Sequence, residues 1–166
     1  MKTLKKNNKG FSLVELIVVI LIMAIIAVAL APQVMKWVDK SKVNTDINNR
    51  TNLKAAMDAA VADYFAQGGS FVDGKTVSFT VNGKEPSGWD GTNYFGDAIT
   101  ADADETVFRN AVEDVLNESW PEFKSTDNGY FSVSISSKGV VDVYVYNGVS
   151  GEDYGDGQKQ PATPTT

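Results

Sequence analysis

From Phe11 to Ala31 the chain is apolar at every position except Ser12 and Glu15. Wound as an α-helix, this run measures about 31 Å at 1.5 Å per residue, close to the hydrocarbon thickness of a bilayer. Beyond Pro32 the pattern becomes amphipathic. Val34, Val38, Ile47, Leu53, Met57, Ala60, Val61, Tyr64 and Phe65 mostly recur at helical spacing, and Gly68 and Gly69 offer a stop. One helix from Phe11 to about Gln67 is therefore predicted, its first half able to span a membrane and its second half lent to a folded head. Between Lys40 and Asn52 the run is polar, which predicts a solvated face. Pro32 lacks an amide donor and crowds the Val28 carbonyl, so a kink or local break is expected there.

The remainder alternates between two periods. Val77, Phe79 and Val81 lie on one side of a strand that ends at Asn82 and Gly83. The stretch from Glu85 to Ala101 is rich in turn residues, and its Trp89, Tyr94 and Phe95 are expected to pin it to the head. Asp102 with Glu105 three residues on reads as a helix cap, followed by an apolar stripe of Val107, Phe108, Ala111, Val112, Val115 and Leu116 that ends before Pro121. YFSVSIS and GVVDVYVYNG, joined by Ser137, Lys138 and Gly139, predict an antiparallel hairpin. The fold class is α+β: a long N-terminal helix with a small antiparallel sheet and a second helix. Residues 156–166 carry no apolar pattern and are expected to fray.

Charge and composition narrow the function. Lys2, Lys5, Lys6 and Lys9 give the first ten residues +4, leaving −10 for the remainder of a chain whose net charge is −6. So acidic a remainder argues against nucleic-acid binding. With lysines before the apolar run, and Lys36, Lys40 and Lys42 opposed by Asp39 after it, a cytoplasmic N-terminus is predicted. Cys and His are absent, which removes thiolate and imidazole chemistry, disulfides and most zinc sites. Glu113, Asp114 and Glu118 read as the solvated face of the second helix, so no enzyme and no cofactor are expected. A cleaved secretory signal fits poorly: the run is longer than the usual core, and the candidate site at Ala29–Pro32 would put proline directly after the cut.

Glu15 then stands out. An unpaired carboxylate in hydrocarbon costs about 2.5 to 3.5 kcal/mol on the most forgiving scale. It calls for a wet edge or a partner that the isolated chain lacks.

Lys9, Gly10, Phe11, Ser12, Leu13, Val14, Glu15 and Leu16, after a lysine-rich leader and before an apolar helix, resemble the class III signal of type IV prepilins. The resemblance covers about the first thirty residues. It implies cleavage between Gly10 and Phe11 by a membrane prepilin peptidase, which then methylates the Phe11 amine. It also implies that Glu15 pairs with the Phe11 amine of a neighbouring subunit during assembly. Residues 1–10 become a removed leader, 11–35 a membrane and filament-core helix, 36–155 a head that includes the second half of the long helix, and 156–166 a tail.

The implied product is a major pilin: a structural subunit of a helical homopolymer serving adhesion, motility or biofilm. Implied partners are further copies of itself, the peptidase and methyltransferase, an assembly platform with its ATPase motor, and the membrane before assembly. The precursor would sit in the cytoplasmic membrane and the product in an extracellular filament. A minor pilin, or a pseudopilin of a secretion or competence system, is the alternative. Ala24 stands where many pilins have glycine, and the lack of Cys resembles pilins of Gram-positive bacteria. Glu152, Asp153 and Asp156 suggest a calcium loop, although their spacing is not that of an EF-hand and a solvated acidic tail is the simpler reading. Tyr144, Tyr146, Trp89 and Trp120 suggest glycan binding, with internal packing the simpler reading.

Overall fold

A computed structural model describes residues 11–89, 91, 94–99, 101–117, 119–127 and 129–146. Its elements are helix α1 (Leu13–Ala66), strand β1 (Thr76–Val81), a 3-10 turn at Gly96–Ala98, helix α2 (Asp102–Leu116), and strands β2 (Tyr130–Ser136) and β3 (Val141–Tyr146). Two compact units divide between Lys40 and Ser41. The first consists, among the described residues, of the apolar part of α1. The second holds the rest of α1, α2 and the sheet.

α1 continues through Pro32 instead of stopping there. It ends where expected: Gly68 takes a left-handed φ of 88° and the Gly69 amide donates to the Tyr64 carbonyl at 3.0 Å. Val34 and Val38, read as part of the head-facing stripe, are each 48% exposed. The burial on α1 starts at Asp46 and takes in Leu53, Met57, Ala60, Val61 and Tyr64.

The sheet is antiparallel in the order β1-β2-β3. Its alternation is that of a half-buried sheet. Val77, Phe79 and Val81, then Phe131, Val133 and Ile135, then Val141 and Val143 face the core. The hairpin turn is the predicted one. Ser136 donates to the Val140 carbonyl, the Gly139 amide donates to Ser136, and Gly139 has a φ of 78°, the three-residue loop that puts glycine in the left-handed position. Phe108, Ala111, Val112 and Leu116 of α2 are buried, while Val115 is exposed.

Aromatic side chains tie the intervening loop to this core. Trp89 is 1% exposed and packs edge-on to Trp120 at 5.4 Å, to Phe95 at 5.4 Å, and at a tilt to Phe79 at 5.1 Å. Tyr146 stacks on Tyr130 across the strands at 4.7 Å. Trp89 is therefore core and Tyr146 is engaged in cross-strand packing. Neither is a free platform for a ligand.

The predicted cap of α2 is corrected. The residue before the helix is Ala101, no side chain caps it, and Glu105 does not fold back to the helix start. Glu105 is 1% exposed and accepts the amides of Tyr94 and Phe95, each at 3.1 Å, while Arg109 donates to it at 2.9 Å. A buried carboxylate needs such donors, and the loop supplies better ones than the helix end.

The polar middle of α1 has the expected solvated face, with Ser41, Lys42, Asn44, Thr45, Asn48, Thr51 and Asn52 exposed, but its other side is polar as well. Asp46 is fully buried and accepts the amides of Lys124 at 2.7 Å and Ser125 at 2.9 Å. Asn49 Nδ2 donates to the Glu122 carbonyl at 3.0 Å, Arg50 Nε to the Val143 carbonyl at 2.8 Å, and Lys54 Nζ to the Val141 carbonyl. This side of the helix fastens a loop and a strand edge.

Candidate assembly site

The first turn of α1 brings Ser12 and Glu15 together. The Ser12 amide donates to Glu15 Oε2 at 3.0 Å, and the Leu16 amide donates to the Ser12 carbonyl at 3.2 Å. Ser12 thus occupies the position before the helix, with Glu15 as its third residue. Ser-x-x-Glu is the sequence signature of a capping box, of which the glutamate half is formed. The signal was present in the sequence and is the one that reading Glu15 as partnerless overlooks.

A carboxylate at this position also faces the positive end of the helix dipole, a favourable placement worth about 0.3 to 1 kcal/mol when exposed. Glu15 is exposed and retains acceptor capacity beyond its one hydrogen bond. Phe11, the residue expected to become a free amine, is 84% exposed and adjoins Ser12 in sequence. Gly10, the other side of the expected cleavage, lies outside the described residues. So do Glu118 and the candidate calcium ligands Glu152, Asp153 and Asp156. Among the described residues no group of three or more carboxylates is arranged to hold a metal ion.

Around this polar point the helix surface is uncovered apolar side chain. Leu13, Leu16, Ile20, Met23 and Ile26 are each more than half exposed, and no residue of the apolar stretch is buried. α1 is the one helix among the described residues long and apolar enough to cross a membrane. Trp37, 66% exposed beside Lys36, sits where the apolar run gives way to polar sequence, the position of an interfacial anchor. So large an exposed apolar surface marks a membrane or protein interaction site.

Comparison with known proteins agrees with this reading of the N-terminus. The prokaryotic N-terminal methylation motif matches residues 5–31. The type IV major fimbrial protein FimA of Dichelobacter nodosus is 26% identical over 104 residues, covering 63% of this chain and 57% of that protein. The type II secretion system core protein G of Pseudomonas aeruginosa is 36% identical over 62 residues, covering 37% of this chain and 44% of that protein. The chain thus spans about half the length of these curated relatives. No solved structure matches it. The methylation motif, the fimbrial and secretion-system relatives, and a long apolar helix in a chain with an α+β head indicate a type IV pilin-like protein.

Proposed function

We propose that the chain is a structural subunit of a type IV pilus filament, made as a membrane-anchored precursor and released into the polymer after cleavage between Gly10 and Phe11. The observation that carries this reading is the exposed carboxylate of Glu15, held at the start of an otherwise apolar and uncovered helix. Hydrolysis of the Gly10–Phe11 bond leaves a primary cationic amine on Phe11, to which the methyltransferase then transfers one methyl group from an activated methyl donor. A second subunit's Glu15 then neutralises this amine as both helices leave lipid for the filament core. A charge pair is tolerable in a dry bundle, whereas one stranded member costs about 3 to 5 kcal/mol. The pair sets register and the apolar surface supplies contact area.

The leader and its lysines stay on the cytoplasmic side, where the peptidase and methyltransferase act, and the head faces outward. An assembly platform and its ATPase motor supply the work; the subunit itself performs no catalysis. Pro32 is the helix position at which bending between membrane and filament is accommodated.

A pseudopilin of a type II secretion system is the second reading, favoured by the higher identity to core protein G over its 62 matched residues. The processing and pairing steps are the same in both. The test is Glu15→Ala. It abolishes or strongly slows filament formation while leaving the tertiary signal of the head, dominated by buried Trp89, unchanged. Abundant normal filaments from that variant would remove the role given to Glu15. Composition of sheared surface filaments separates the two readings, since a pilus consists mainly of this chain.

A further inference from the structure

Where β1 ends and β2 begins, the head has an open groove of about 320 Å3. Thr80, Asn82, Lys84, Glu85, Asp127 and Tyr130 are among its lining residues. Two contacts fix the wall that carries Asn82. The Gly83 amide donates to the Pro121 carbonyl at 2.8 Å, and the Phe123 amide donates to Asn82 Oδ1 at 2.9 Å. A backbone N–H can face only the oxygen of that side chain, so Nδ2 keeps both of its protons to give. The loop that follows is anchored through Pro86, which is buried and whose carbonyl accepts the Trp89 amide at 3.0 Å.

Tyr130 supplies an aromatic wall. Tyr146 stacks on it from β3 at 4.7 Å, and the sheet order sets β1 on its other side. The remaining face of the Tyr130 ring therefore looks toward Thr80 and Asn82, into the groove. No other use within the chain accounts for the polar lining. Among the described residues, the Thr80 and Tyr130 hydroxyls, Asn82 Nδ2, Lys84 Nζ and the carboxylates of Glu85 and Asp127 have no side-chain hydrogen bond or ion pair.

Size and charge select the occupant. Ligand sites run from about 300 to 1,000 Å3, so this groove takes a small molecule and not a folded partner. Lys84 against Glu85 and Asp127 leaves one net negative charge, which disfavours phosphates and other anions. A bare divalent cation needs about six oxygens, and among the described residues no group of three or more carboxylates is arranged to hold one. Donors and acceptors interspersed beside an aromatic face match a neutral pyranose. Each of its hydroxyls both gives and accepts a hydrogen bond, and its ring has an apolar C–H face.

We infer that this groove binds a neutral saccharide, one ring stacked on Tyr130 and its hydroxyls bonded by Asn82, Lys84 and Asp127. Such a site belongs to the head alone and is independent of the filament reading above. Open to solvent on one side, it holds a single sugar with a Kd of about 1 mM or weaker.

The test uses the full chain in polyoxyethylene micelles, because maltoside detergents carry sugar head groups. Methyl β-galactoside, methyl β-glucoside and N-acetylglucosamine are the probes, methyl phosphate is the anionic control, and saturation-transfer NMR is the readout. Transfer should reach the ring protons of at least one sugar and leave methyl phosphate untouched, while the Asn82 side-chain NH2 resonances shift. Tyr130→Ala should abolish the transfer. Asp127→Ala changes an exposed side chain and keeps the result interpretable if the tyrosine variant fails to fold; it should weaken binding about tenfold. Ser134→Ala, on the same outer face of the sheet but outside the groove, should bind as wild type. Absence of transfer to all three sugars, sugar binding that Asp127→Ala leaves unaltered, or a preference for methyl phosphate would overturn the inference and leave the filament reading standing.

Discussion

Asp46→Ala is the sharpest probe of how α1 is joined to the rest of the head. Asp46 is fully buried and its two oxygens accept separate backbone amides, Lys124 at 2.7 Å and Ser125 at 2.9 Å, across 78 and 79 residues of sequence. Hydrogen bonds to a charged group contribute about 1.5 to 3 kcal/mol each, and removing the acceptor leaves two part-buried amides without it. Release of the carboxylate's own desolvation offsets part of this, so the loss should be about 2 to 4 kcal/mol. In a domain of this size that lowers the melting temperature by roughly 10 to 25 °C. Asp46→Asn retains one acceptor oxygen and turns an NH2 toward the other amide, so it should cost less than alanine but well above zero. Denaturation of the full chain in detergent micelles, followed by near-ultraviolet circular dichroism, measures both. An alanine variant within about 0.5 kcal/mol of wild type would show that the segment after Pro121 is held by packing alone.

Other expectations follow from the same geometry. Gly69→Ala should destabilise the head by more than about 2 kcal/mol, because a Cβ there would lie 2.1 Å from the Tyr64 ring; an unchanged denaturation midpoint would contradict the packing of that ring. Burial raises the pKa of Tyr64, with the Asp104 carboxylate adding to it, and burial also raises those of Tyr94 and Tyr130, from an ordinary value of 10.0. The folded chain then keeps protons that the unfolded chain loses, so this stabilisation is complete below the ordinary value and is lost as pH rises through it. Denaturation midpoints should fall as pH rises from the ordinary tyrosine value of 10.0 toward the raised folded ones, and Tyr64→Phe should flatten that fall. A fall of equal steepness in Tyr64→Phe would exclude this tyrosine as a contributor.

Local patterns carried the architecture and missed the joints. The period-two strands, the Ser137 to Gly139 turn, the α2 stripe and the stop at Gly68 are each written within a few neighbouring residues, so they were legible. The bonds of Asp46, Asn49, Arg50 and Lys54 reach across 73 to 93 residues. In sequence those side chains are indistinguishable from a solvated helix face. Glu105 misled for a related reason: its spacing from Asp102 fits a local cap, but distant loop amides at Tyr94 and Phe95 compete for it and win. At the candidate assembly site the motif pointed to Glu15 and Phe11, while the bond from Ser12 to Glu15 shows that the carboxylate is already placed within its own chain.

In the proposed assembly, the Phe11 amine exists only after residues 1–10 are removed, and Glu15 then serves the polymer. The most direct test is the intact mass of the chain recovered from sheared surface filaments. That chain should begin at Phe11 and carry one added methyl group on its amine. A filament subunit that still contains Gly10 and the lysine-rich leader would contradict it.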